Sequence, residues 1–432
     1  MLVDRGYVPT DREEEADVIL FNTCCVREHA EQRVYSRMEQ LAPLKRRRPE
    51  LILGIGGCMA EKGKHTILDK LPHVDLVFGT GALYDLPQLL ERINTEGGPV
   101  ISAGGQLRPV RSQAEFCLRE GNVRAWVSIA EGCNNRCAYC VVPMVRGPER
   151  SKPPELVLDE AHRAVDDGYK EIFLLGQNVN SYGKDLPGTT DFPRLLEMVN
   201  DVPGVRRIRF TTSHPKDMSP RLVEAIRDVP YVCEHLHLPL QSGSTRILRL
   251  MNRGYSREEY LSKVELARAA VPDIGLTTDI IVGFPGETDA DFEATRSALE
   301  QIQFDTAYVF KFSARPATSA ESLPEHIPTD VIVQRHRTLL DREKEISRKK
   351  MHALVGTTQS VLVEGLCRQQ PEYLTGRTRN YRVARVRRDG IDVGDEIQVE
   401  IVEAKGWTLY GEVTARAMTS APDRACADAP GG

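Results

Sequence analysis

Apolar positions along this chain recur with two different periods, and the switches between them mark out its elements. Val18 to Asn22 reads as a strand, about Arg27 to Leu41 as a helix, and Leu51 to Ile55, running into Gly56 and Gly57, as a second strand. Val74 to Phe78 and a helical Ala82 to Ile93 continue the alternation, which describes a small α/β unit. The pattern fades in the polar, Gly-rich stretch from Thr95 to about Gln113, which reads as a linker.

From Trp126 the alternation restarts and passes through six apolar β segments: Val127 to Ala130, Glu171 to Leu175, Arg207 to Thr211, Leu236 to Leu240, Thr277 to Val282 and Thr306 to Phe312. Helical patterns fill the gaps. Ser151 is placed to cap the first of these helices, Pro153 and Pro154 suit its first turn, and Gly168 suits its stop. Strands separated by helices require right-handed crossovers and a parallel sheet. Six repeats are too few to close an eight-stranded barrel, so a curved, partly open (β/α)6 barrel is expected, with its chemistry at the carboxyl ends of the strands.

A charged helix from about Thr329 to Leu354 leads to a third unit, Thr357 to Arg416. Its short alternating runs, Gln359 to Glu364, Tyr381 to Val386, Glu396 to Val402 and Leu409 to Val413, are separated by glycines in the manner of a small β-barrel. The expected organisation is therefore α/β: a small α/β domain over 1–112, a partial barrel over 119–353, a small β-barrel over 354–417, and a disordered tail over 418–432 rich in Ala, Pro, Asp and Gly.

The length of 432 residues agrees with several cores rather than one. The longest apolar runs, such as Thr278 to Phe284, fall far short of the roughly 20 residues that span a bilayer, and Met1 to Asp11 has no signal-peptide pattern, so the cytoplasm is the expected location. A net charge of −5 argues against nonspecific adhesion to nucleic acid by the whole molecule. Local basic patches remain: Lys45 to Arg48; Arg206, Arg207 and Arg209; Arg348 to Lys350; and the set Arg377, Arg379, Arg382, Arg385, Arg387 and Arg388. Each is either a solvated face or a nucleic-acid contact.

Ten cysteines without a secretory signal point to metal, cluster or catalytic roles rather than disulfides. Directly after the first barrel strand stands Cys133-Asn-Asn-Arg-Cys137-Ala-Tyr-Cys140. Three thiolates can hold three irons of a [4Fe–4S] cube and leave the fourth iron open. An open iron can chelate the amino and carboxylate groups of S-adenosylmethionine, so that an electron from the cluster cleaves a carbon–sulfur bond. The competing zinc site would want a fourth Cys or His nearby, and no His lies close in sequence.

This spacing, with Tyr139 before the last cysteine, resembles the signature of the radical S-adenosylmethionine superfamily. The resemblance narrows to its methylthiotransferases through Asn22-Thr23-Cys24, Gly56-Gly57-Cys58, the run Gly132 to Gly147, Leu174 to Asn180 (LLGQNVN), Phe210 to Pro215 (FTTSHP), Leu238 to Ser244 (LPLQSGS) and Val282 to Thr288 (VGFPGET), and it covers about Val18 to Val413. It implies insertion of a methylthio group at carbon 2 of N6-dimethylallyladenosine next to the tRNA anticodon. Sister branches act on threonylcarbamoyl-adenosine or ribosomal protein S12. It implies two [4Fe–4S] clusters, one on Cys133, Cys137 and Cys140 and an auxiliary one using Cys24 and Cys58, and two uses of S-adenosylmethionine, as methyl donor and as radical source. The implied partners are the tRNA anticodon loop and an electron donor such as a flavodoxin or ferredoxin, for a monomer that touches no membrane. The third unit is similar to the TRAM domain, an RNA-binding β-barrel. A single-stranded loop base can be splayed into a deep barrel mouth, which agrees with that substrate class.

The cofactor candidates are Gly176 and Gln177 at the end of strand two, Gln241, Asp279 and Gly283; no side chain is singled out as catalytic. Gly283-Phe-Pro-Gly-Glu287 either approaches the adenosyl group or makes an ordinary strand-to-helix turn. His214, and His235 with His237 on one strand face, are expected in satisfied structural roles. Cys233, Cys367 and Cys426 have no partners at metal spacing, and Cys25 points away from Cys24 in an extended segment. Methylthiotransferases carry a Gly-Cys-Gln-Met-Asn-like segment with a third auxiliary cysteine that is not present here, and Cys117 in the linker is a candidate without a match. Either the start lies upstream or the auxiliary site is impaired, which keeps open the alternative of a noncatalytic RNA-binding protein that retains an iron–sulfur cluster. The corresponding expectation is one stable cluster in the chain as written.

Overall fold

The computed structural model describes residues 1–24, 28–104, 110, 121 and 123–416; Cys25, Cys117, Cys426, part of the linker and the tail after Met418 lie outside them. Near the N-terminus, β1 (Val18–Thr23), β2 (Ile52–Gly57), β3 (Leu76–Phe78) and β4 (Val100–Ser102) form a parallel sheet in that order, with α1 (Glu28–Arg47), α2 (Cys58–Gly63), α3 (His65–Lys70) and α4 (Leu86–Glu96) between them. β2 is buried along its whole length, as its apolar and glycine composition requires of a central strand. β4 falls inside the expected linker. Val100 and Ile101 are too few to stand out locally, and pairing with the buried β3 makes a strand of them.

The middle of the chain forms the partial barrel. It runs through β5 (Arg124–Ser128), β6 (Ala130–Glu131), α5 (Val142–Arg146), β7 (Arg150–Ser151), α6 (Pro154–Asp166), β8 (Glu171–Leu175), α7 (Phe192–Asn200), β9 (Arg207–Phe210) and α8 (Pro220–Asp228). It continues through β10 (His235–His237), α9 (Thr245–Leu250), α10 (Arg257–Ala270), β11 (Gly275–Val282), α11 (Asp289–Ile302), β12 (Thr306–Lys311) and α12 (Thr329–His352). The parallel arcs β5-β8-β9 and β10-β11-β12 meet where Ile208 bridges Val232. The principal core lies between these strands and the outer helices. Ser151 does not cap α6. It belongs to β7, and its Oγ accepts from Gly183 N at 3.0 Å, while the helix begins at Pro154 after an uncapped Pro153. Gly168 does end that helix, with φ of 93°.

The last domain is a closed barrel in the order β13-β14-β15-β17-β16, built from β13 (Thr358–Leu366), β14 (Tyr373–Thr378), β15 (Val383–Arg387), β16 (Glu396–Lys405) and β17 (Thr408–Arg416). It caps the amino ends of the larger barrel's strands. Gly275, at the start of β11, is a point of close approach, because a Cβ there would lie 2.4 Å from Asn380 O.

Much of the basic character read from the sequence is consumed at this seam. Arg207, fully buried, donates to Glu396 Oε1 at 2.8 Å, Ser360 Oγ at 3.0 Å and Arg377 O at 2.7 Å. Arg209, also buried, pairs with Glu171 at 2.7 Å and donates to the carbonyls of Thr378 and Arg379. Arg379 clasps Glu234, and Arg382 pairs with Asp305. These arginines join two domains, which corrects their reading as a nucleic-acid patch. Arg387 and Arg388 remain exposed.

Candidate functional site

The cysteine motif sits on the loop between β6 and α5, at the carboxyl end of the first barrel strand. The antiparallel pair β6 and β7 brings the two ends of this loop together. Cys133 N donates to Gly147 O at 3.1 Å. Gly132 adopts φ of 79°, and a Cβ on it would stand 2.0 Å from Pro148 O, so only glycine fits. The far side of the loop is fixed by Ala138, whose N donates to Met251 O and whose carbonyl accepts from Ala320 N. Phe284, fully buried, packs beneath with Ala138, Ile247 and Met251. The turn after β11 therefore supports the cysteine loop from below.

Burial pushes the Cys133 thiol up, and pushes Cys140 up to about 11, so both thiols are protonated when empty and must lose protons to ligate a metal. Arg253, buried to 5% exposure, donates from Nη1 to Cys137 Sγ at 3.2 Å and from Nε to Tyr255 Oη at 3.1 Å. Among the described residues no three His, Cys, Asp or Glu side chains converge on one metal ion. A cube takes one thiolate per iron and does not require such convergence.

A cavity of about 1120 Å³ opens beside the loop and runs down the barrel axis. Tyr139, Cys140, Gln241 and Asp279 line its upper part and Tyr381 of the C-terminal barrel its floor, where the Tyr381 ring stacks on His235 at 4.7 Å. In this lining Gln241 Oε1 after β10 and His235 Nδ1 within β10 are buried without hydrogen-bond partners, and Asn178 Oδ1 after β8 with Ser213 Oγ and His214 Nε2 after β9 are likewise unpartnered outside it. Each such orphan costs about 1 to 3 kcal/mol. Two of them in the cavity lining, together with Cys140, fit a polar ligand held next to a cluster.

The sequence-derived cofactor candidates divide. Gln241, strained at φ of 66°, and Asp279, 3.4 Å from His237 Nε2, face the cavity. Gly176 lies outside the cavity lining, where a Cβ would meet Val179 Cγ1 at 3.3 Å and Ala130 Cβ at 3.6 Å. Gln177 accepts from Gly132 N at 2.7 Å, so it pins the cysteine loop. Gly283 donates its N–H to Glu287 Oε2 at 2.9 Å, and a Cβ there would lie 2.4 Å from Ile332, which makes it a packing glycine. His235 and His237 both hydrogen-bond Thr277 Oγ1, at 3.1 and 3.0 Å. His214 is driven down to about 3 by burial and by the Arg253 charge, which leaves it neutral at any working pH.

Register brings the two N-terminal cysteines level. Thr23 pairs with Gly57 across β1 and β2, so Cys24 and Cys58 leave neighbouring strands at the same height, about 5 Å apart in the sheet. Cys58 is buried against Val141 and Val145 of the loop-α5 segment, and Arg146 Nε donates to its sulfur at 3.3 Å. The N-terminal sheet thus presents Cys58 to the element that follows the C-x-x-x-C-x-x-C run, while Cys24 is exposed. Sequence reasoning missed Arg253 and Arg146. Arg253 lies between helices in Asn252-Arg253-Gly254 and Arg146 ends α5 before Gly147, and nothing local distinguishes either from surface charge.

Comparison with known proteins agrees with this architecture. Residues 127–299 match the radical SAM superfamily, 352–414 the TRAM domain, and 1–79 the uncharacterized protein family UPF0004. Over the whole chain it is similar to proteins named tRNA-2-methylthio-N(6)-dimethylallyladenosine synthase: 46% identical to that of Moorella thermoacetica, covering 96% of this chain and 93% of the relative. Identity is 47% to that of Caldicellulosiruptor saccharolyticus, covering 96% and 88%. Among solved structures, a radical S-adenosylmethionine methyltransferase from Kitasatospora setae aligns with a TM-score of 0.54 at 13% identity, over 79% of this chain and 67% of that one, a likeness of fold. With these identities over nearly its full length, the chain belongs to the tRNA-2-methylthio-N(6)-dimethylallyladenosine synthase family of radical S-adenosylmethionine proteins.

Proposed function

We propose that this protein converts N6-dimethylallyladenosine next to the anticodon of tRNA to its 2-methylthio derivative. The observation that carries the reading is the Cys133-to-Cys140 loop, whose Cys140 lines a cavity that also holds the unpartnered Gln241 Oε1 and His235 Nδ1 and is large enough for a nucleoside and a cofactor. Cys133, Cys137 and Cys140 would hold a [4Fe–4S] cluster, and Cys24 and Cys58 take part in an auxiliary one. A cluster bound at the barrel loop supplies the electron for reductive cleavage of S-adenosylmethionine and thereby a hydrogen-abstracting radical.

The protein's own part is placement and exclusion. Gln241 and Asp279 offer an acceptor and a carboxylate to the cofactor's polar groups, while Gln177, Gly132 and Phe284 fix the loop that carries the cluster. Tyr381, stacked on His235, closes the floor and keeps water from entering below. A loop adenosine is single-stranded and enters the cavity without the cost of unpairing a duplex. A flavodoxin or ferredoxin suits the electron supply, and we take the chain to act as a cytoplasmic monomer. No helix among the described residues is long and apolar enough to cross a membrane.

The test is an anaerobic assay of reconstituted protein with tRNA bearing dimethylallyladenosine, read by nucleoside mass spectrometry. A 2-methylthio product confirms the reading. Product on threonylcarbamoyl-adenosine tRNA alone would move it to the sister substrate.

A further inference from the structure

Arg253 is an isolated buried cation. Its side chain is 5% exposed, yet among the described residues no Asp or Glu pairs with it. Its acceptors are Cys137 Sγ at 3.2 Å, Tyr255 Oη at 3.1 Å and Pro239 O at 3.4 Å, and its guanidinium lies 5.4 Å from the Tyr255 ring centroid. Three of its five N–H donors are occupied by these contacts. Burying a charge without a counter-ion is costly, and proteins that do so reserve the place for an anion. Three other buried arginines follow that rule: Arg207 meets Glu396, Arg209 meets Glu171, and Arg335 meets Glu287. Among these four only Arg253 hydrogen-bonds a cysteine sulfur in place of a carboxylate.

We propose that Arg253 is the fixed countercharge of the cluster held by Cys133, Cys137 and Cys140: a positioning residue that hydrogen-bonds the Cys137 sulfur and favours the reduced form. The inference rests on the cluster reading of those cysteines. Reduction takes one electron from a one-electron donor and adds one negative charge, with no bond made or broken and no proton moved. A neighbouring guanidinium stabilises the more negative state more than the less negative one, and hydrogen bonds to cluster sulfurs act in the same direction. Tyr255 and Pro239 lock the guanidinium in place, with Tyr255 Oη itself anchored to the carbonyls of Pro239 and Leu240 at 3.0 Å. The charge therefore cannot swing away when the cluster is oxidised.

The test compares Arg253→Gln and Arg253→Lys with the parent protein, each reconstituted anaerobically and titrated with dithionite while the reduced cluster is followed by electron paramagnetic resonance. Equal iron and sulfide loading with a more negative midpoint in Arg253→Gln, and a midpoint between the two in Arg253→Lys, is the expected result. An unmoved midpoint in a fully loaded Arg253→Gln overturns the proposal. Thermal unfolding of equally loaded samples supplies a second reading that does not depend on the redox titration. A countercharge makes the melting-temperature gain between apo and cluster-bound protein smaller in Arg253→Gln than in the parent, whereas a packing role lowers both forms equally. If neither variant folds as apoprotein, the guanidinium is needed before any anion arrives and the proposal fails. Failure of the parent to bind a cluster through Cys133, Cys137 and Cys140 would instead sink the cluster reading itself.

Discussion

Replacing Arg207 with methionine distinguishes a domain joint from a nucleic-acid contact at one residue. The side chain is fully buried and makes four donor contacts, two to Glu396 Oε1 and one each to Ser360 Oγ and the Arg377 carbonyl. Methionine fills most of the volume but leaves Glu396 facing the barrel with only Ser360 as a partner. Removing one member of a buried ion pair costs roughly 3 to 5 kcal/mol, and the exposed rim of Glu396 places the expected loss at the lower end. The assay is denaturant unfolding of the intact chain together with limited proteolysis, where the C-terminal barrel should be released earlier than in the parent. In parallel, tRNA affinity is measured across a salt series. A phosphate contact would lower the slope of log affinity against log salt by about 0.7 to 0.9. The joint predicts a stability loss of about 3 kcal/mol and an unchanged slope once the protein is folded. A flattened slope with unaltered stability would refute the reasoning.

Substituting Arg387 and Arg388 together, which are exposed, should flatten that slope by about 1.4 to 1.8 without lowering stability; an equilibrium binding titration at several salt concentrations reads it. Cys133→Ala, Cys137→Ala or Cys140→Ala should each lower bound iron and abolish deoxyadenosine release, and undiminished release from any one of them in anaerobically reconstituted protein would defeat the ligand assignment. His214 has a folded pKa of about 3 against an ordinary 6.5, so the unfolded chain binds the extra proton between those values and stability falls as pH drops through 6.5. From pH 7.5 to pH 5 that single group contributes a loss of about 2 kcal/mol, which denaturant titrations should find reduced in His214→Gln.

The parts legible in the sequence are those whose cause is local. Period-two apolar runs gave six barrel strands because each strand is buried by its own neighbours, and the Cys133, Cys137 and Cys140 spacing carries its chemistry in a few residues. β4 and β14 were not read, since Val100 with Ile101 and the stretch from Tyr373 to Thr378, interrupted by Gly376, have patterns that become strands only through pairing with β3 and with β13 and β15. Among the cofactor candidates, Gln241 and Asp279 face the cavity, whereas Gln177 and Gly283 turn to the scaffold. The difference lies in one side-chain rotation and one glycine contact, which strand-end placement alone does not encode.

The arginines carry the larger lesson. Sequence shows where a positive charge is but not what it faces, and in this chain the answer differs from one arginine to the next. Arg207, Arg209, Arg379 and Arg382 face carboxylates and carbonyls across a domain seam. Arg146 and Arg253 each face a cysteine sulfur. The seam arginines hold the C-terminal barrel so that Tyr381 closes the cavity floor against His235, while the sulfur-facing pair sits beside Cys58 and Cys137. A charge at the floor that held RNA phosphate instead would have to leave the seam, and the plug would leave with it. Any nucleic-acid contact made by this barrel therefore has to use its outward side chains, such as Arg387 and Arg388, while its inward ones keep the cavity floor closed.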